Sequence, residues 1–116
     1  MVRVKNEWIE EFPGAVTVCD SAGKILELNN SAAEVFSAQG GMKLIGTNLA
    51  DCHPAPALRK LNRVMNRRQT NVYFVVKKGR KKIILQVPWY KKGKYRGFVE
   101  ISLPIKGKIP TIIRQT

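Results

Sequence analysis

Asp20 to Phe36 reads DSAGKILELNNSAAEVF, and the placing of its turn and helix signals decides the fold. Asp20 and Ser21 can bond their own backbone and Gly23 tolerates positive φ, so the segment opens on a tight turn. Val16 and Val18 precede that turn and Ile25, Leu26 and Leu28 follow it, which predicts two strands joined as a hairpin. Asn29 or Asn30 then supplies a side-chain acceptor for the first N–H groups of a helix running through Ala33 to Phe36. A second stretch, LIGTNLADCHP from Leu44 to Pro54, marks entry into another short helix.

Outward from this stretch the periodicity is equally directive. Residues 4 to 12, VKNEWIEEF, form a short helix with Trp8, Ile9 and Phe12 on one side, stopped by Pro13 and Gly14. Between Pro54 and Gln69, Leu58, Leu61 and Met65 make an apolar stripe supported by Ala57 and Val64, while Arg59, Arg63 and Arg67 recur on another face. Three strands follow, separated by the turns Lys77-Lys78-Gly79-Arg80 and Lys91-Lys92-Gly93-Lys94. The first is Val72 to Val76. In the second, Ile83, Leu85, Val87 and Trp89 share one face and Ile84, Gln86, Pro88 and Tyr90 the other. In the third, Tyr95, Val99, Ile101 and Leu103 oppose Phe98, Glu100 and Ser102. The first set of each strand is assigned to the core, which leaves Ile84 and Phe98 on the outer face. Pro88 points to an edge, a bulge or the end of its strand. The tail after Pro104 is expected to be extended or poorly ordered.

The ordered set of elements resembles a PAS sensor domain over residues 8 to 104. The resemblance is carried by Asp20, Gly23, Lys24 and Ile25 in the turn, by the asparagine that follows, by Ala33 and Phe36 in the helix, and by Leu44-Ile45-Gly46. Ala22 departs from it, since that family prefers a polar residue before the glycine. The likeness implies an α+β fold with a five-stranded antiparallel sheet in the order 2-1-5-4-3 and short helices packed on one face. It divides the chain into a flanking helix at 1–12, the PAS domain at 13–104 and a basic tail at 105–116.

The chain has 116 residues, 44% of them hydrophobic, enough for one domain with a core, and no apolar run approaches a bilayer span. MVRVKNEWIEEF at the N-terminus lacks the apolar stretch and cleavage site of a signal peptide, so the cytoplasm is the expected compartment. Charge is divided unevenly. Residues 1–58 hold four Lys/Arg against seven Asp/Glu, a net of −3, whereas residues 59–116 hold seventeen against the single acid Glu100, a net of +16. Such a field attracts polyanions: nucleic acid, an anionic membrane or an acidic protein.

Few residues carry chemistry. His53, the only histidine, lies beside a helix start, where the positive end of the dipole favours neutral imidazole. It is the one position for a haem or polar-ligand contact, and the expected state is a structural hydrogen bond with no cofactor. Cys52 shares that setting and is the candidate redox thiol, whereas Cys19 reads as a small core residue; both are expected to be reduced. Neither spacing suits a metal, and no paired carboxylates, nucleophile elbow or phosphate-cradling loop is present, so no enzymatic activity is expected.

The resemblance to PAS domains implies a sensory or regulatory module in signal transduction that binds a small ligand or a partner protein. Its expected ligand cavity is lined by Val18, Leu28, Phe36, Leu49, Leu61, Val87, Trp89 and Val99. Dimerisation is expected through the N-terminal helix and the outer sheet face, with a signalling partner protein acting on the same contacts. The alternative is a basic adaptor for nucleic acid or an acidic protein, using Arg59, Arg63, Arg67, Lys77, Lys78, Arg80, Lys81, Lys82, Lys91, Lys92 and Lys94 among the interleaved aromatic residues. The chain shows no kinase, cyclase or DNA-reading output segment, so a stand-alone protein is expected to signal in trans or through assembly, and an excised domain to have its output elsewhere in a longer chain.

Overall fold

A computed structural model describes residues 7–116 apart from Cys52, so the expectation for that thiol, and the start of the N-terminal helix, lie outside the described residues. The described chain runs through a short helix α1 (Glu7–Glu10), strands β1 (Ala15–Asp20) and β2 (Ile25–Leu28), helix α2 (Asn30–Val35), three short 3-10 turns, helix α3 (Ala55–Arg67) and strands β3 (Asn71–Lys77), β4 (Arg80–Lys91) and β5 (Lys94–Ile105). The strands form one antiparallel sheet in the order β2-β1-β5-β4-β3. This is the predicted topology. The second helical segment expected near residues 46 to 52 is only a 3-10 turn at Leu49–Asp51.

The deciding stretch folds as its residues dictate. Asp20 Oδ1 accepts from Ala22 N and Lys24 N, each at 2.9 Å, and Gly23 sits at φ +86°. The Leu44 to Asn48 segment closes on the same turn. Ile25 N donates to Thr47 O and Gly46 N to Ile25 O, both at 2.8 Å, while Asn48 Nδ2 donates to Ala22 O at 3.0 Å. Asn29 is the N-cap of α2 and only 2% exposed. Its Oδ1 accepts from Ala32 N at 3.0 Å and Val16 N at 2.9 Å, and its Nδ2 donates to Gly14 O at 2.8 Å, which locks the helix start to β1.

Both later turns are two-residue hairpins. Lys78-Gly79 and Lys92-Gly93 all have positive φ, the type I′ geometry whose twist matches that of the flanking strands. Pro88 sits in β4 beyond Gln86, where β3 has not begun and β4 has one neighbour, and a register shift follows at Trp89/Tyr90. Beyond Ile105 the tail carries no regular structure.

The core lies between the helices and one face of the sheet, built from Cys19, Ile25, Leu28, Ala32, Leu44, Leu49, Leu61, Met65 and Phe98. Here the strand-face assignment is reversed. Directly opposed residues place Val16, Ile101, Leu85 and Val72 in one row and Val18, Val99 and Val87 in another, on the face away from α3. Ile84 and Phe98, expected outside, are buried. The other groupings by alternation hold, but the sides are exchanged, because this sheet turns a polar row toward its helices and an aliphatic surface away from them; Tyr95, grouped with Val99, instead packs beside Phe98 on the core side, because the register shifts between Trp89 and Tyr90.

Candidate functional site

One row explains the reversal. Thr17, Glu100, Gln86 and Asn71 stand opposite one another across β1, β5, β4 and β3 on the helix-facing side. Asn71 Nδ2 donates to Gln86 Oε1 at 3.0 Å, and Gln86 Nε2 donates to Glu100 Oε2 at 2.8 Å. An ionised carboxylate only accepts, so Glu100 fixes which way the Gln86 amide faces, and Gln86 in turn orients Asn71. Lateral pairing makes burial of the row inexpensive. Among the described residues no buried side-chain nitrogen or oxygen lacks a partner.

Asn71, Gln86 and Glu100 of this row floor an open cavity of about 370 Å³ beneath α3. Ala57, Lys60, Leu61 and Val64 come from α3, Phe36 from the end of α2, His53 from the approach to α3, and Asn71, Tyr73, Gln86 and Glu100 from the sheet. Leu61 is buried, and the α3 stripe faces the sheet as its period predicts. Arg68 ends the helix in the left-handed conformation and lays its guanidinium 4.4 Å from the centre of the Tyr95 ring, which pins that end of α3 to β5. His53 Nδ1 lies 2.9 Å from Leu49 O; a carbonyl can only accept, so Nδ1 donates in this contact. Burial, with the nearby Glu100 charge, raises the Tyr73 pKa, so its hydroxyl stays a donor through the physiological range. The site therefore combines a carboxylate acceptor, an amide pair, a phenol and an ammonium around an apolar patch.

No protein-family model matches the chain, and neither does any curated protein. Solved structures do. A C-terminal domain from Streptococcus mutans superposes with a TM-score of 0.71 at 20% identity, covering 87% of this chain and 82% of that one. The PAS domain of BvgS from Bordetella pertussis gives 0.66 at 18% identity over 88% and 84% of the two chains. The PAS domain of the histidine kinase ThkA gives 0.62 at 18% identity over 77% and 96%. The chain has the PAS fold.

Within this PAS fold the predicted cavity residues separate into three groups. Phe36 and Leu61 line the cavity. Leu28 and Leu49 belong to the packed core beside it. Val18, Val87 and Val99 are on the opposite face and cannot reach it. Trp89 shares the alternation of Val87 and does not line the PAS cavity either; its indole N–H donates to Cys19 O at 3.0 Å across β5. That reach needs Gly97, since a Cβ there would collide with the Cys19 carbonyl and the Asp20 backbone. Cys19 is a buried free thiol whose pKa is raised, first by burial, as expected of an inert core cysteine. Asn71, Tyr73, Gln86 and Glu100 were missed. The signal for them was present in the sequence: polar residues at matching alternation in three consecutive strands.

The basic residues are not gathered into one patch. Arg59, Arg63 and Arg67 are exposed on α3, and the two lysine turns stand at opposite ends of β4, about 36 Å apart for 12 residues of strand.

Proposed function

We propose that the chain is a sensory or regulatory module that binds a small organic molecule in the cavity beneath α3 and reports it through changed packing of the sheet. The observation that carries this reading is the Asn71–Gln86–Glu100 row on the cavity floor, a polar arrangement in a place where packing alone favours aliphatic side chains. The ligand chemistry follows from the lining. A hydrogen-bond donor or a positive group meets Glu100, and an apolar body packs on Phe36, Leu61 and Val64. The fold analogy to the PAS domain of a histidine kinase supports a signalling role, as analogy and not as site chemistry. Occupancy would reposition β4 and β5, whose other face is the aliphatic surface available to a second copy or a partner protein.

Native mass spectrometry with an absorption spectrum tests this. Protein purified from cells should carry a small bound mass that Glu100→Leu releases, and the spectrum separates a haem held by His53 from a colourless ligand. Bare polypeptide mass, together with no thermal stabilisation by a panel of small amines and metabolites, overturns the reading.

A further inference from the structure

We propose that the tip of the β3–β4 hairpin is a docking surface for an anionic lipid bilayer. Lys77, Lys78, Arg80, Lys81 and Lys82 are concentrated there. Strand register sets Ile105 opposite Lys81, so the tail begins at the same end and brings Lys106 and Lys108 with it. No Asp or Glu occurs between residues 52 and 99, so the hairpin holds no countercharge of its own. Edge-strand protection does not account for the cluster. β3 is the edge, yet Asn71 to Val76 carries no charge at all, and every cation sits at the tip.

The apolar neighbours identify the partner. Val75 and Val76, the two residues of β3 before its terminal Lys77, lie on opposite faces, 37% and 68% exposed, and the tail adds exposed Ile109, Ile112 and Ile113. The tip is thus a wedge with aliphatic side chains on both sides and ammonium groups around it, which suits insertion between acyl chains beneath anionic headgroups. A shallow cleft of about 400 Å³ lined by Val75, Lys77, Lys78, Arg80 and Lys82 offers room for one such headgroup. Single-stranded nucleic acid would instead require open aromatic faces for stacking. Phe74, the aromatic residue nearest the tip, has Lys81 Nζ 4.3 Å above its ring centre, so that face is already occupied.

Sedimentation of the full chain with phosphatidylcholine vesicles, with and without about one third phosphatidylserine, tests this. Binding is expected only with the anionic lipid. Lys77, Lys81 and Lys82 changed together to Gln should weaken it on the order of a hundredfold, at roughly fivefold per cation. Val76→Ser, at unchanged charge, should weaken it several-fold. Lys91, Lys94 and Arg96 changed to Gln, the same loss of charge at the far end of β4, should have little effect. Absence of binding, equal losses at both ends, or full binding by Val76→Ser overturns the proposal. So does tighter binding to RNA, DNA or an acidic peptide than to the anionic vesicles at equal ionic strength.

Discussion

Replacing Asn29 by Ala should be the most damaging single-residue truncation on the N-terminal side of the sheet. The side chain is 2% exposed and makes three hydrogen bonds, to Ala32 N, Val16 N and Gly14 O. Loss of the cap alone costs about 1 kcal/mol. The larger share comes from the groups left behind, since a buried N–H at Val16 and a buried carbonyl at Gly14 each lose a partner at about 1 to 3 kcal/mol apiece. A total of about 3 to 7 kcal/mol is expected, a large part of the 5 to 15 kcal/mol that stabilises a domain. Equilibrium urea unfolding, followed by fluorescence and far-UV circular dichroism, reads it directly. Asn29→Ser separates the contributions: its hydroxyl can still cap Ala32 N but is too short for Gly14 O, so it should recover only about 1 kcal/mol. An Ala variant within about 1 kcal/mol of wild type, or a Ser variant indistinguishable from wild type, would refute the claim that this asparagine joins helix to sheet.

Gly97→Ala forces a Cβ into the Cys19 carbonyl and breaks the passage of the Trp89 indole; it should prevent folding or cost more than about 3 kcal/mol, and a normal unfolding midpoint would contradict the close approach of β5 to β1. Burial raises the Cys19 thiol above its ordinary value of 9.0. The unfolded chain therefore loses that proton first, and stability falls as pH rises past about 9. Cys19→Ala should flatten the fall between pH 8.5 and 10 on the order of the thiol's share, and identical slopes for the two proteins would show that the thiol is not shielded. The outer face, with Leu85, Val87, Val99 and Ile101 half-buried, should pair two copies. Ile101→Lys should weaken dimerisation by about tenfold or more in sedimentation while circular dichroism stays unchanged, and a wild-type monomer at high micromolar concentration would exclude this face.

The turns, the N-cap and the α3 stripe were legible because each is dictated locally. Gly23 needs positive φ, Asn29 needs free N–H groups, and Leu61 recurs with Met65 at helical spacing. The sidedness of β4 and β5 was not. Alternation groups Gln86 with Ile84 and Val87 with Leu85 correctly, but both groups contain large apolar residues, and a lone strand cannot indicate which face its neighbours will cover. Only when Asn71, Gln86, Glu100 and Thr17 fall into a single row does their burial become inexpensive, and that depends on register across four strands. Half of the candidate cavity was misplaced for the same reason. The choice between a helix and a 3-10 turn at Leu49–Asp51 depended on the packing of the preceding loop onto β2, which the residues themselves do not specify.

The two Lys-Gly turns also divide the molecule in time. β3, β4 and β5 are joined by the shortest connections a hairpin allows, whereas β1 must find β5 from far along the chain, since even the nearest partners, Asp20 and Gly97, are 97 − 20 = 77 residues apart. Closing that longer loop costs roughly 3 kcal/mol more than closing a two-residue one. The C-terminal meander is therefore the natural nucleus, and the N-terminal hairpin, α2 and the Asn29 cap arrive as a second unit that completes the sheet at a single seam. Kinetic measurements should find strand-turn substitutions at Gly79 or Gly93 slowing folding, and changes in β1 mainly hastening unfolding. A sheet assembled in this order can also come apart in it, with β1 peeling from β5 while β3, β4 and β5 stay paired.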